Sequence, residues 1–125
     1  MIKSKIFRDQ KSISHYFFNR LGGTSKGIYK SLNCGKGSKD KIANISKNLK
    51  IVSKKIGCTS GNLVSLNQIH SNKVYKISGI PKKRLTGDAM ITNKQNIAIS
   101  ILTADCAPIL IIEKKQNFVG AIHAG

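Results

Sequence analysis

The apolar periodicity of this chain changes once, at Gly57, and that change constrains the fold more than any other feature. Before it, Ile42, Ile45, Leu49, Val52 and Ile56 recur at spacings of three and four, with Lys and Asn between them. Residues so spaced share one face of a helix, so residues 40–56 are predicted to form an amphipathic helix with the lysines in water. Ser38 is the expected N-cap, and Gly57, just past the last apolar position, the expected terminator. After Gly57 the apolar residues fall in short runs, at 63–68, 74–77, 89–92, 97–102, 109–112 and 118–122. Turn signals separate them: Gly79-Ile80-Pro81, Asn93-Lys94 and Lys114-Lys115-Gln116-Asn117. Such runs predict strands. The expected class is α/β in the α+β sense, one mixed sheet with the helix packed on it, and residues 1–125 form one domain. Residues 14–19 are aromatic-rich and lead into Gly22, Gly23, Thr24, Ser25 and Gly27, which reads as a strand entering a glycine loop where backbone approaches a ligand.

Charge narrows the function. The chain carries 22 basic and 5 acidic residues, a formal net charge of +17. That raises nucleic acid as a partner, because clustered cations release counterions from phosphates. The basic residues are overwhelmingly lysine, scattered along the chain, with arginine only at Arg8, Arg20 and Arg84. Base reading leans on the bidentate guanidinium fork, and no RNP-type, finger or recognition-helix pattern accompanies the lysines, so no nucleic-acid partner is expected. The apolar run around 97–112 is interrupted by Thr103, Asp105 and Pro108, so no membrane span is expected. Cys34, Cys58 and Cys106 are an odd number behind an N-terminus without a secretory apolar core, which predicts a reducing, cytoplasmic setting without disulfides.

Three residues of metal-binding type stand at the ends of predicted strands: His70, Cys106 and His123. Imidazole and thiolate favour zinc, and three protein ligands leave a fourth position for water or substrate. Their long spacings match no finger or ribbon pattern, so ordinary structural roles for each stay open on spacing alone.

Five blocks carry a resemblance. They are NRLGGTSKGIYKSLNCG at 19–35, LNQIHSNKV at 66–74, GDAMIT at 87–92, TADCAPIL at 103–110 and AIHAG at 121–125. In this order they resemble the signature of the laccase-like multicopper polyphenol oxidase family, the YfiH-type purine nucleoside phosphorylases. The resemblance implies the N-terminal, incomplete half of that family's layered αββα fold, cut after His-Ala-Gly where the family continues with Trp-Arg-Gly.

By position, it implies that His70, Cys106 and His123 bind Zn²⁺, with copper as the alternative ion. Arg20, Asn33 and Gln68 become catalytic and substrate-binding positions, the guanidinium for phosphate or ribose oxygens and the amides for ribose hydroxyls. Asp88 and Asp105 are candidates to orient ligands from behind, or to cap turns. His15, Cys34 and Cys58 fall outside the pattern and read as core or loop residues. The implied activity is phosphorolysis of adenosine, inosine, guanosine and methylthioadenosine, with adenosine deamination, a reaction that suits zinc because the ion acidifies water. Purine nucleosides and phosphate are thus the implied partners. A non-catalytic metal-binding fragment and a copper-dependent polyphenol oxidase are the other functions carried forward. A half-fold is also expected to be poorly stable and to expose apolar surface beside residues 118–122.

Overall fold

The computed structural model describes residues 2–7, 12–113 and 118–125. It divides into two compact units, Met1–Ser60 and Gly61–Gly125.

In the first unit the predicted helix, α1, spans Ile42–Ile56. Gly57 ends it in the left-handed conformation at φ 94°, and the Gly57 and Cys58 N–H groups both donate to the Ser53 carbonyl. Only a residue without Cβ adopts that φ without cost, so the expected terminator acts as one. The start differs from expectation. Lys41, not Ser38, is the N-cap, and it contributes no side-chain hydrogen bond. Ser38 instead donates to the Gly35 carbonyl at 2.8 Å, closing the turn before the helix. The negative charge that suits a helix N-terminus comes from Asp40, whose carboxylate accepts from the Lys41 N–H and the Asn44 amide.

The buried face of α1 contains Ile45 and Val52 as predicted, but also Asn48 and Ser53, while Ile42 is 85% exposed. Asn48 is fully buried because it organises the glycine loop. Its Oδ1 accepts from the Thr24 N–H at 2.8 Å and the Thr24 hydroxyl at 3.1 Å. Its Nδ2 faces Ser25 Oγ and the carbonyls of Ser31 and Asn33 at 2.8–3.1 Å. The close approach that glycine permits is internal: a Cβ on Gly23 would lie 2.1 Å from the Ser31 carbonyl oxygen. Residues 14–19 do not form the predicted strand. Among the described residues Phe17 makes one isolated antiparallel bridge, to Ile2.

Among its described residues the second unit holds six short strands: β1 (Leu63–Ser65), β2 (Val74–Lys76), β3 (Ala89–Thr92), β4 (Ala98–Ser100), β5 (Ala107–Ile112) and β6 (Val119–Ala124). Each predicted run contributes one, so the α+β class holds. The single mixed sheet does not. β1 and β4 pair in parallel as a two-stranded sheet, and the other four lie in the order β2-β3-β6-β5, with β2–β3 parallel and β3–β6–β5 antiparallel. The helix belongs to the first unit, so the predicted helix-on-sheet packing is not a feature of either unit taken by itself. The turn predicted at 114–117 lies outside the described residues.

Leu66 and Met90 are fully buried and, with Val64 and Ile77, form a core against which Tyr75, Leu85, Ile97, Ile99 and Ile101 pack. Both sheets thus supply it. The opposite face of the four-stranded sheet is apolar and open: Ile91 on β3 and Ile109 and Ile111 on β5 are exposed, and Val74 on β2 continues the row. Pro108 sits on β5, the edge strand, where its missing N–H breaks no ladder bond.

Two measurements check the first unit. Asn48→Ala leaves the groups bound to the Asn48 amide without partners and should cost about 2–3 kcal/mol in urea unfolding, since an orphaned buried polar group loses its full desolvation energy. The Ser25 hydroxyl, 2.6 Å from Asp40, holds the Asp40 carboxyl below the usual range; desolvation opposes this, and Asn33, the Lys41 N–H and Asn44 add to it. A depressed carboxylate contributes stability that is present above its unfolded pKa of about 3.9 and is lost as pH falls through the lower folded value. Asp40→Asn should therefore flatten the acid limb of the stability profile below about pH 4.

Candidate metal centre

Asp88 stands one residue before β3 and is buried, with 1% of its surface exposed. Its carboxylate accepts from three successive backbone N–H groups, Ile69 at 3.3 Å, His70 at 3.1 Å and Ser71 at 2.7 Å. The Ser71 hydroxyl adds a fourth bond at 2.7 Å. This concentration of donors explains the backbone of His70, which takes the left-handed conformation at φ 58°. A non-glycine residue rarely does so unless its surroundings hold it there.

His123 comes from β6. Its N–H donates to the Asp88 carbonyl at 2.8 Å, one step beyond the β3–β6 ladder, which aligns its ring with the same carboxylate. His123 Nδ1 lies 2.8 Å from Asp88 Oδ1. Burial alone would push the Asp88 carboxyl up. The bonds from His123, Ser71 and the backbone outweigh it and hold the group far below the usual carboxylate range.

Cys106 lies in the 103–106 loop between β4 and β5, and the loop's approach is set by Gln68. The Gln68 amide donates to the Leu102 carbonyl at 2.7 Å and accepts the Leu102 N–H at 2.8 Å, a two-point clamp on the last residue before that loop. Cys106 Sγ then stands 3.7 Å from His70 Nε2. Desolvation, then the neighbouring Asp105 carboxylate, which also accepts from the thiol at 3.7 Å, push the Cys106 thiol up.

The outcome is convergence. One ligand atom from each of His70, Cys106 and His123 lies within 4.8 Å of the others, and the two rings meet edge-on with centroids 4.8 Å apart. A tetrahedral ion with the usual zinc–nitrogen and zinc–sulfur bonds separates its donors by roughly 3.3–3.7 Å. The sulfur–imidazole distance already matches. His123 is buried, Cys106 half-buried and His70 exposed, so the cluster is anchored on the inside and opens on the other side. The donor set fits a borderline-soft divalent ion.

Arg20 and Asn33 belong to the first unit. Arg20 Nε donates to the Lys30 carbonyl at 2.7 Å, and the Arg20 carbonyl accepts from the Ser31 and Leu32 N–H groups. Asn33 donates to Ser38 Oγ and Asp40 Oδ2 and accepts the Gly35 N–H. His15 accepts the Ser4 N–H and meets Phe7 edge-on, and the three cysteines are free thiols. Burial raises the Cys34 thiol to about 11, which suits an inert residue.

The sequence pattern of the family described as multi-copper polyphenol oxidoreductase laccase matches residues 14–125. The chain belongs to this family. The purine nucleoside phosphorylase ORF3 of Streptomyces griseus is 32% identical over 120 residues, 90% of this chain and 47% of that protein. A purine nucleoside phosphorylase of Bacteroides thetaiotaomicron is 33% identical over 123 residues, 91% of this chain and 46% of the other. The solved structure of Neisseria meningitidis protein NMB0706 superposes with a TM-score of 0.77 at 34% identity, over 85% of this chain and 43% of that one. Bacillus licheniformis YfiH shares the fold at a TM-score of 0.78 and 23% identity. The chain thus spans about half the length of the relatives it matches. Among the described residues no helix is long and apolar enough to cross a membrane.

Sequence reasoning placed all three members of the cluster but missed Gly125. A Cβ there would lie 2.2 Å from His70 Cδ2. Just past β6 the chain lies directly against the exposed His70 ring, so a side chain there must push the imidazole aside. Gly125→Ala should displace that imidazole and weaken Zn²⁺ or Co²⁺ binding at least tenfold, with little loss of far-ultraviolet circular dichroism; unaltered affinity would mean the ring tolerates a neighbour there.

Proposed function

We propose that this chain carries the zinc site of a purine nucleoside phosphorylase acting on adenosine, inosine, guanosine and methylthioadenosine, with adenosine deamination as a second reaction. The observation that carries the reading is the convergence of two imidazoles and a thiol from three distant segments onto one point. The naming of the relatives as purine nucleoside phosphorylases supports the reaction class. His70, Cys106 and His123 would hold the ion, which when bound supplies a Lewis acid with a position left for a small ligand.

The chain's own residues have distinct tasks in this reading. Phosphorolysis needs a phosphate oriented against the ribose and an environment that stabilises the charge developing there. Arg20 is the candidate for the phosphate or ribose oxygens: its Nε is engaged by Lys30, which steadies the guanidinium while its terminal nitrogens can grip an anion. Asn33 and Gln68 are the nucleoside-facing amides. Asn33 is bonded within its own loop and Gln68 to Leu102, which fixes their orientations, and each has a carbonyl lone pair left to accept a ribose hydroxyl. The raised Cys106 thiol must lose its proton before it can bind a cation, so metal loading should favour higher pH.

Copper competes for the same donors, and the family description keeps polyphenol oxidation as a second reading. The two are separated by substrate. With inosine, the unaltered chain loaded with zinc should release hypoxanthine only when phosphate is present, and His70→Ala or Cys106→Ala should abolish that release. Turnover unchanged in either variant rules the site out. Oxygen consumption with a phenol, without phosphate-dependent base release, identifies the copper reading, and metal binding with neither activity identifies a non-catalytic module.

A further inference from the structure

The metal centre has three members, but two of them are placed by one residue outside it. Asp88 Oδ1 accepts from both the His70 N–H, at 3.1 Å, and His123 Nδ1, at 2.8 Å. Asp88 Oδ2 takes the Ile69 and Ser71 N–H groups and the Ser71 hydroxyl. We propose that Asp88 is the positioning residue of the centre, a single carboxylate that sets the ring orientation and tautomer of His123 and the left-handed turn that presents His70. This inference rests on the metal-centre reading above.

Hydrogen-bond supply around the carboxylate fixes both histidines. A carboxylate facing five donors serves only as an acceptor. The hydrogen shared with His123 must therefore sit on Nδ1, and Nε2 keeps its lone pair for the ligand cluster. On the other side, three consecutive N–H groups pointing at one anion form a small concave cradle. That cradle holds His70 at φ 58° and brings its Nε2 to 3.7 Å from Cys106 Sγ. Asp88 touches Ile69, Ser71 and both histidines but is not itself among the clustered ligands.

Asparagine is the discriminating substitution. It has nearly the shape of aspartate, but one of its two oxygens becomes an NH₂ donor. It can satisfy His123 Nδ1–H or the 69–71 cradle, and not both. Ser71→Ala serves as the comparison, because it removes one bond to the same carboxylate while leaving both histidine contacts in place.

The experiment uses the full chain labelled with ¹⁵N at histidine, together with Zn²⁺ titrated against a chromophoric chelator. In the metal-free chain at neutral pH, His123 should show the Nδ1–H tautomer. Asp88→Asn should weaken zinc binding by about tenfold to a hundredfold, the range typical of lost partners behind a metal ligand. Ser71→Ala should change it less than threefold. An Nε2–H tautomer at His123 in the unaltered chain overturns the proposal whether or not the variant folds. So does an Asp88→Asn affinity within twofold of the unaltered chain. Failure of the unaltered chain to bind zinc at all overturns the metal-centre reading as well, and so is told apart from the failure of Asp88 alone.

Discussion

The second unit depends on one buried anion. In a chain with 22 basic residues and only 5 acidic ones, the Asp88 carboxylate is kept from the lysines and given to a backbone turn and an imidazole. Removing such a charge from water is costly unless every lone pair is met. Here donors from 69–71 and from 123 meet them, so the carboxylate ties the segment after β1 to β3 and to the end of β6. The separate two-stranded sheet and the four-stranded sheet share a hydrophobic core at Leu66 and Met90, but apolar contact has no direction. Direction comes from the carboxylate.

The first unit repeats the device with a neutral group. Asn48, buried on α1, supplies both donors and acceptors to the loop that contains Arg20 and Asn33. Asp40 is satisfied by Ser25, Asn33 and the start of the helix. In each unit a polar side chain fixes irregular backbone that no helix or sheet ladder could hold. Such loops tolerate few substitutions, because each removed partner leaves another buried group unpaired.

The sheet contributes geometry. β6 is central, bonded on both edges, and delivers His123 from the interior, while β5 at the edge follows directly from the Cys106 loop. Apolar residues on the far face of the sheet, Ile91, Ile109 and Ile111, face outward. The alternation of strands makes this unavoidable. Every second residue of β3 and β5 must point away from the core that Met90 occupies.

From residues alone, the switch from helical to strand periodicity at Gly57 determined the elements, because local spacing dictates which side chains share a face. The α1 terminator, all six strands and the three members of the cluster were legible there, the last through the blocks around His70, Cys106 and His123. The N-cap, the burial of Asn48 and the failure of residues 14–19 to form a strand were not: the first turns on the bond that closes the Gly35–Ser38 turn, the other two on partners distant in the chain. Tertiary structure alone decided that the strands split into two sheets, that Asp88 serves both histidines, and that Gly125 lies against the His70 ring. Strand pairing and convergence are long-range choices, and only the folded chain brings residues 70, 88 and 123 within hydrogen-bonding reach.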